Sequence, residues 1–210
     1  MQKLKSSLFN MVLVLVGMSV VIGALLAWVN QVTQGPIAAK TEKTLADGIK
    51  AVMGKGDLQV TSADTVSLTV DGKPAIYVIH AVSGRNGQPF GAAVESTTMG
   101  FGGDLKVLVG FDTQGRISGY TILQSSETPG LGAKAQTWFQ KGSKGCVVGM
   151  SPADGPLQVT KDGGRVDAIT ASTITSRAFL KAVNQAYDAY RNHKNGGGTA
   201  VAARTTKNKD

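Results

Sequence analysis

The chain has 210 residues and a formal net charge of +8 at pH 7. Lys3 and Lys5 carry two of these charges and the segment after Asn192 carries three net. Little net charge therefore remains for the folded part, and the absence of a basic stripe interleaved with aromatic residues excludes nucleic acid as a partner. The length allows one domain with a full core and hardly two, and the single cysteine, Cys146, excludes an internal disulfide.

The N-terminal part predicts a transmembrane helix over residues 8–29, with the lipid bilayer as its partner. Leu8 to Val29 is almost uninterrupted apolar sequence, and at 1.5 Å per residue it reaches about 33 Å, enough to span a bilayer core. The alternative is a cleaved signal peptide, but the apolar region of such a peptide spans only roughly 7–15 residues, so we favour a retained anchor. Lys3 and Lys5 precede the run, which predicts a cytoplasmic segment 1–7 and an extracytoplasmic, periplasmic location for the rest of a single-pass protein of the inner membrane.

Residues 30–65 are predicted to form a linker and a first helix. Gln34-Gly-Pro36 indicates the linker. Leu45, Ile49 and Val52 then share one face of a helix from Thr41 to Met53, which Gly54-Lys-Gly56 ends.

From Val66 to Ser126 the pattern predicts β-strands joined by tight turns. One hairpin joins Val66–Val70 to Ala75–Val82 through Asp71-Gly72, and a turn at Arg85–Gln88 leads into Phe90–Glu95. A second hairpin joins Leu105–Phe111 to Arg116–Leu123. The chain is therefore predicted to be an α+β protein, with a mainly antiparallel sheet in one mixed domain over residues 66–192. His80 is expected to be a packed strand residue, and we predict no metal site.

Two glycine-containing segments flank the last predicted strands. Gly100-Phe-Gly-Gly103 precedes a strand and lacks the Gly-Lys-Ser/Thr ending of a phosphate-binding loop, so by itself it predicts only a tight connection. Glu127-Thr-Pro-Gly-Leu-Gly132 predicts a turn, followed by a short helix from Ala133 to Gln140 with Trp138 and Phe139 facing inward.

The C-terminal part predicts two short strands and a long helix. Leu157–Lys161 and Arg165–Ile169 are the strands, around a turn at Asp162–Gly164. Ser172 or Thr173 falls at the helix N-cap, a place that suits either an ordinary capping hydroxyl or a phosphate. The helical face is formed by six apolar residues: Ile174, Ala178, Val183, Ala186, Tyr187 and Tyr190. Residues 193–210 are predicted to form a disordered basic tail.

The segment Asp167-Ala-Ile-Thr-Ala-Ser-Thr-Ile-Thr-Ser176 resembles the flavinylation motif of the FMN-binding domain in the G subunits of Rnf-type electron-transport complexes. The C subunits of sodium-pumping NADH:quinone oxidoreductases have the same kind of domain. The family pattern is Asp-x-x-Ser/Thr-Gly-Ala-Thr, so Asp167, Thr170 and Thr173 match it, whereas Ala171 replaces the Gly and Ser172 replaces the Ala. Ala171 raises the question of whether that position needs a positive φ, which alanine tolerates poorly.

The two glycine-containing segments occur in the same family, in the same order along the chain. The resemblance places Gly100–Gly103 close to the flavin and Glu127–Gly132 at the isoalloxazine ring. It implies that Thr173 carries covalent FMN through a phosphoester bond and that Asp167 is recognised by a flavin transferase that uses FAD. Two further sets of residues are implied: Glu127, Thr128, Leu131 and Gly132 bordering the ring, and Thr170, Ser172 and Thr175 holding the phosphate.

The resemblance also implies a function. The chain would be an electron-carrying flavoprotein subunit of a membrane-bound oxidoreductase complex, relaying electrons between ferredoxin-linked and NAD-linked subunits while Na⁺ or H⁺ is moved across the membrane. Two alternatives stay open: a free-standing anchored flavodomain that serves another extracytoplasmic reductase, and a non-redox module that binds envelope material.

Overall fold

The computed structural model describes residues 8–54, 58–70 and 72–196. Its elements are one long N-terminal helix, five strands, a short helix and a long C-terminal helix. The predicted cytoplasmic segment 1–7 and most of the predicted tail, residues 197–210, lie outside the described residues. His193 and Lys194, which we predicted to begin the tail, belong instead to the C-terminal helix.

The first helix, α1, runs from Leu8 to Met53. Its part from Leu8 to Thr33 has a mean hydropathy of 2.7, is entirely unburied, and is long and apolar enough to cross a membrane. This agrees with the predicted anchor. The predicted linker at Gln34-Gly-Pro36 and the separate helix start at Thr41 are wrong, because the backbone is helical throughout. Proline removes only one helical N–H donor, so a helix can continue past it at a local cost.

The chain divides into two compact units between Thr44 and Leu45. The second unit therefore starts before Val66, the boundary that we predicted. The reason is that Ile49, Val52 and Met53, in the last turns of α1, are buried against sheet residues of that unit.

The second unit contains a five-stranded sheet in which each strand pairs antiparallel with the next along the chain. Its strands are β1 Leu58–Val70, β2 Lys73–Gly84, β3 Pro89–Met99, β4 Asp104–Asp112 and β5 Ile117–Ser125. The predicted hairpins and the mainly antiparallel sheet of an α+β fold are confirmed. β1 begins earlier than predicted because its first half is largely exposed and polar, and so lacks the alternation that indicates a half-buried strand.

Each face of the sheet contributes to a buried core cluster. Along β3 the side chains alternate, so that Ala92 and Val94 face one core cluster while Ala93 faces the other. The smaller cluster contains the end of α1. The larger one contains the C-terminal helix α3, Thr173–Lys194.

The helix α3 is amphipathic, as predicted, and five of the six expected apolar positions are buried: Ala178, Val183, Ala186, Tyr187 and Tyr190. Ile174 is the exception, since it is 52% exposed. The short helix predicted over Ala133–Gln140 is a 3-10 turn, Gly132–Lys134, followed by one helical turn α2, Ala135–Trp138. Phe139 is fully buried and stacks on Phe179 of α3 with ring centroids 4.3 Å apart.

The two strands predicted around Asp162–Gly164 are wrong. This region contains a single β-bridge, between Val159 and Val166, and a 3-10 turn at Thr160–Asp162. Outside this bridge, side chains of α3 pair with the backbone of the two segments. The Asn184 amide accepts from Leu157 N at 2.9 Å and donates to Leu157 O at 3.0 Å, and Ser176 Oγ accepts from Ile169 N at 2.9 Å.

Candidate functional site

Seven of the predicted site residues line one cavity, whose volume is about 410 Å³. The cavity is formed by the segment after β3, the loop that leads into α2, and the start of α3. The predicted residues in its wall are Glu127, Thr128, Leu131, Gly132, Ser172, Thr173 and Thr175; the others are Phe101, Ala171 and Ile174. Asp167 and Thr170 are exposed and do not line it.

Glu127 joins the three segments of the cavity wall. Its side chain is buried, with Oε1 accepting from Phe101 N at 2.7 Å and from Gly102 N at 3.3 Å. Oε2 accepts from the Thr175 hydroxyl at 2.8 Å. Because a buried carboxylate is costly unless its oxygens are hydrogen-bonded, these bonds stabilise the carboxylate and at the same time hold the loop and the helix in place.

The glycines around Glu127 permit this close approach. A Cβ at Gly100 would lie 2.1 Å from Glu127 Oε1, and a Cβ at Gly132 would lie 2.3 Å from Oε2 and 2.7 Å from Thr175 Oγ1. These distances are far inside van der Waals contact. The two glycine-containing motifs therefore allow the backbone to pack closely on one buried carboxylate.

A tight turn leads from the loop into α3. Ser172 N donates to Ile169 O at 3.0 Å, and Ala171, the third residue of this turn, has φ 61°. It is the one non-glycine residue with positive φ in the described part of the chain. A positive φ at that turn position is typical of type II turns, which favour glycine there. In this chain, the position of the family glycine therefore has a left-handed backbone.

Ser176 holds this turn from the helix side. Its Oγ donates to Ser172 O at 2.9 Å and accepts from Ile169 N at 2.9 Å. Both hydrogen bonds are buried, so the turn is fixed to the first turns of α3.

Thr173 is the first residue of α3 and is half-buried at the cavity wall. Ser172, one of the two residues predicted for the N-cap, occupies that position, but its side chain makes no capping hydrogen bond. The backbone N–H groups of the first helical turn have no intrahelical acceptors, so they keep their capacity to donate to an anion. A phosphate on the Thr173 hydroxyl would lie next to these donors and to the positive end of the helix dipole.

A basic side chain reaches the same hydroxyl from outside the cavity. Lys161 Nζ lies 3.4 Å from Thr173 Oγ1. The next residue, Asp162, accepts two hydrogen bonds from Arg177 of α3, at 2.7 Å from Nε and 2.6 Å from Nη2. These hydrogen bonds lower the pKa of the Asp162 carboxyl, so it is ionised at neutral pH.

Ala171 and Ile174 line the cavity and Lys161 lies beside Thr173, although the sequence did not indicate them as site residues. Phe101 belongs to the segment Gly100–Gly103 that was expected close to the flavin. Phe101 is 67% exposed between glycines, and an aromatic residue in such a segment is a usable signal for a ligand contact. Ile174 was assigned to the core because it follows the helical period of buried residues. No sequence pattern indicates the contact of Lys161, because it depends on the turn at Thr160–Asp162.

The cavity suits FMN. Its volume is within the range of about 300–1,000 Å³ that is usual for small-molecule sites. Phe101, Leu131 and Ile174 offer exposed apolar surface to a flat ring, while the first turn of α3 and Lys161 offer donors to a phosphate. The apolar side chains and the anion site are thus present within one cavity and at its rim.

A second buried polar cluster lies elsewhere, on β2, β3 and β4. Glu95 accepts from His80 Nε2 at 2.8 Å and is paired with Lys106. Burial raises the pKa of the Glu95 carboxyl, but the hydrogen bonds and charges of His80 and Lys106 outweigh it, and the pKa is lowered overall. His80 is a packed strand residue, as predicted. Among the residues that the structure describes, no His, Cys, Asp and Glu group is arranged to hold a metal ion.

Residues 100–188 match the FMN-binding domain, the range that contains the whole cavity. The G subunit of the ion-translocating oxidoreductase complex of Vibrio parahaemolyticus is 33% identical over 166 residues, which are 76% of this chain and 78% of the relative. The G subunit of the Na⁺-translocating ferredoxin:NAD⁺ oxidoreductase complex of Acetobacterium woodii is 33% identical over 195 residues, 88% of this chain and 92% of the relative.

A third relative, the G subunit of the ion-translocating oxidoreductase complex of Shewanella oneidensis, is 34% identical over 183 residues, 81% of this chain and 83% of the relative. The chain therefore belongs to the family formed by the G subunits of ion-translocating oxidoreductase (Rnf) complexes. It is an electron-transport flavoprotein with an N-terminal apolar helix suited to single-pass membrane anchoring.

Proposed function

We propose that Thr173 carries FMN through a phosphoester bond and that the chain relays electrons between other subunits of an Rnf-type complex, between the ferredoxin-linked and NAD-linked sides. The observation that supports this most strongly is the position of Thr173. Its hydroxyl lies at the first residue of a long helix, in the wall of a cavity that all three family segments form.

Attachment is a group transfer from FAD, performed by a separate flavin transferase. A bond forms between Thr173 Oγ1 and the phosphorus of the FMN moiety, the pyrophosphate bond breaks, AMP leaves, and the hydroxyl proton is released to water. Asp167 is proposed as the part of the motif that the transferase recognises, since its side chain is exposed while its backbone carbonyl accepts from Trp138 Nε1 at 2.8 Å.

The chain's own residues then position the cofactor. Glu127 holds the loop at Thr128, Leu131 and Gly132 against the start of α3, so these residues border the ring. Ser172 and Thr175 stand beside Thr173 at the phosphate end, and we propose Thr170 as a further phosphate contact although it is exposed outside the cavity wall. Bound FMN supplies the electron transfer, while the protein sets its position and surroundings.

Covalent attachment makes physical sense if the domain is extracytoplasmic, with the N-terminus in the cytoplasm. A dissociated cofactor would be diluted outside the cell, whereas a tethered one keeps a high effective concentration at its site. We propose the periplasmic side of the inner membrane for the domain and coupling of the complex to movement of Na⁺ or H⁺.

Intact-protein mass spectrometry of the membrane-extracted full chain tests the attachment. Co-expression with a flavin transferase should add the mass of FMN less one water, and Thr173→Ala should abolish the adduct. Ser172→Ala is the matched control, because it removes the adjacent hydroxyl and should keep the adduct. An adduct that persists in Thr173→Ala and disappears in Ser172→Ala would show that the acceptor is Ser172.

Two further experiments test the setting. The first uses a reporter enzyme that is active only outside the cytoplasm, fused after Asp210. The fusion should be active if the orientation is as proposed. Co-purification with the other membrane subunits of the complex should accompany the flavinylated chain, whereas a free-standing flavodomain would purify without them.

A further inference from the structure

We infer that Lys161 is the counter-ion of the phosphate attached at Thr173, and that the Asp162–Arg177 ion pair holds it there. This inference rests on the proposed attachment of FMN to Thr173. The contact that carries it is the 3.4 Å distance between Lys161 Nζ and Thr173 Oγ1, which brings a cation next to the atom that would become the ester oxygen.

Charge is the first reason. The attached phosphodiester would carry one negative charge, and the charged residue in the cavity wall is the acidic Glu127. The Glu127 oxygens already accept from backbone and hydroxyl donors, so they offer the phosphate only repulsion. A lysine at the rim balances the new charge and can donate up to three hydrogen bonds to phosphate oxygens.

The second reason is that the turn carrying Lys161 is fixed relative to Thr173. Lys161 is the middle residue of the 3-10 turn Thr160–Asp162. Arg177 lies one helical turn after Thr173 on α3 and donates to both carboxylate oxygens of Asp162. The ion pair therefore fixes the position of the turn relative to the first turns of α3.

The turn is also closed within its own backbone. Asp162 N and Gly164 N both donate to Val159 O, at 2.9 and 3.0 Å. A Cβ at Gly164 would lie 2.1 Å from Gln158 O, so the chain passes there at the closest distance that glycine allows. The backbone of Lys161 is thus held, although its side chain is exposed and can change rotamer to reach a phosphate oxygen.

The experiment uses the full-length flavinylated chain in detergent and records the ³¹P resonance of its single attached phosphorus. Lys161→Gln should move the resonance towards its position in the urea-unfolded protein, and Lys161→Arg should restore most of the native shift. Lys141→Gln is the matched control, an exposed lysine that does not line the cavity, and it should leave the resonance unchanged. Arg177→Gln should move it in the same direction as Lys161→Gln, because it releases the turn.

The initial rate of FMN attachment is the second readout. An exposed charge contact of this kind predicts a decrease of about two- to fivefold in Lys161→Gln, smaller at high salt. An unchanged ³¹P resonance in Lys161→Gln would overturn the inference, whatever the rate of attachment. If attachment were nevertheless slower, the lysine would serve only the transferase. If wild-type protein acquires no flavin at all, the proposed function fails instead.

Discussion

Replacing Ala171 by glycine should stabilise the protein, although most Ala-to-Gly changes do the reverse. Ala171 has φ 61°, and a left-handed backbone costs an L-residue about 1–2 kcal/mol. Glycine adopts this conformation without strain but loses more conformational entropy on folding, about 0.5–1 kcal/mol. The difference predicts a net gain of about 0.5–1 kcal/mol for Ala171→Gly.

The measurement is the thermal unfolding midpoint of the full chain in detergent, followed by circular dichroism. For a unit of this size the predicted gain corresponds to a rise of about 1–4 °C. Ala153→Gly is the matched control, because Ala153 is also exposed, lies in a short 3-10 turn and has no positive φ. It should lower the midpoint. If both variants lower the midpoint equally, the turn before α3 is not strained and the reasoning is wrong.

Three further predictions concern buried groups of the same unit. Glu127→Ala should lower the free energy of unfolding by about 1–3 kcal/mol, because it leaves the buried Thr175 hydroxyl without its acceptor. Glu127→Gln should lower it by clearly less, and equal urea midpoints for the two variants would contradict this. Gly132→Ala should displace the Glu127 carboxylate and reduce FMN incorporation. Gly84→Ala is the control, because a Cβ there meets nothing within 4 Å, and it should leave incorporation unchanged. Equal incorporation in the two variants would contradict this prediction. Lys106→Met should be less stable than wild type by about 1–2 kcal/mol at pH 7. The pKa of Glu95 is lowered in the folded state. The difference in the free energy of unfolding should therefore have its full value above a carboxyl's usual pKa of about 4.3 and vanish as the pH falls through the lower folded-state pKa. A difference that grows on acidification would refute this prediction.

Local sequence signals predicted those parts of the fold in which the residue type acts on its own backbone. The turn at Arg85–Gln88 and the hairpin between β4 and β5 were predicted correctly. Each contains a glycine with positive φ, Gly87 or Gly115, and such a glycine determines where a strand ends. The amphipathic helix α3 was predicted from its period. The first half of β1 was not, since its pairing with β2 depends on the partner strand and not on its own exposed residues.

The region before α3 shows why other parts of the structure could not be predicted from the sequence. Leu157 and Ile169 have strand-like neighbours, yet their backbone groups are paired with the side chains of Asn184 and Ser176. These partners lie in the following helix, so no local window of sequence contains the competition between them and a strand. Lys161 was overlooked for the same reason, because its distance to Thr173 is set by the Asp162–Arg177 pair.

The order of the strands has a consequence for how the cell can use this protein. Each sheet pairing joins neighbours along the chain, so the pairing of β1 to β5 involves no residue of α3, and local pairing of this kind favours fast folding. The cavity, in contrast, needs α3, the last element. A chain that stops before Thr173 lacks α3 and the part of the cavity wall that α3 forms. If Thr173 carries FMN, as proposed, flavin-loaded protein therefore shows that synthesis of the final helix was completed.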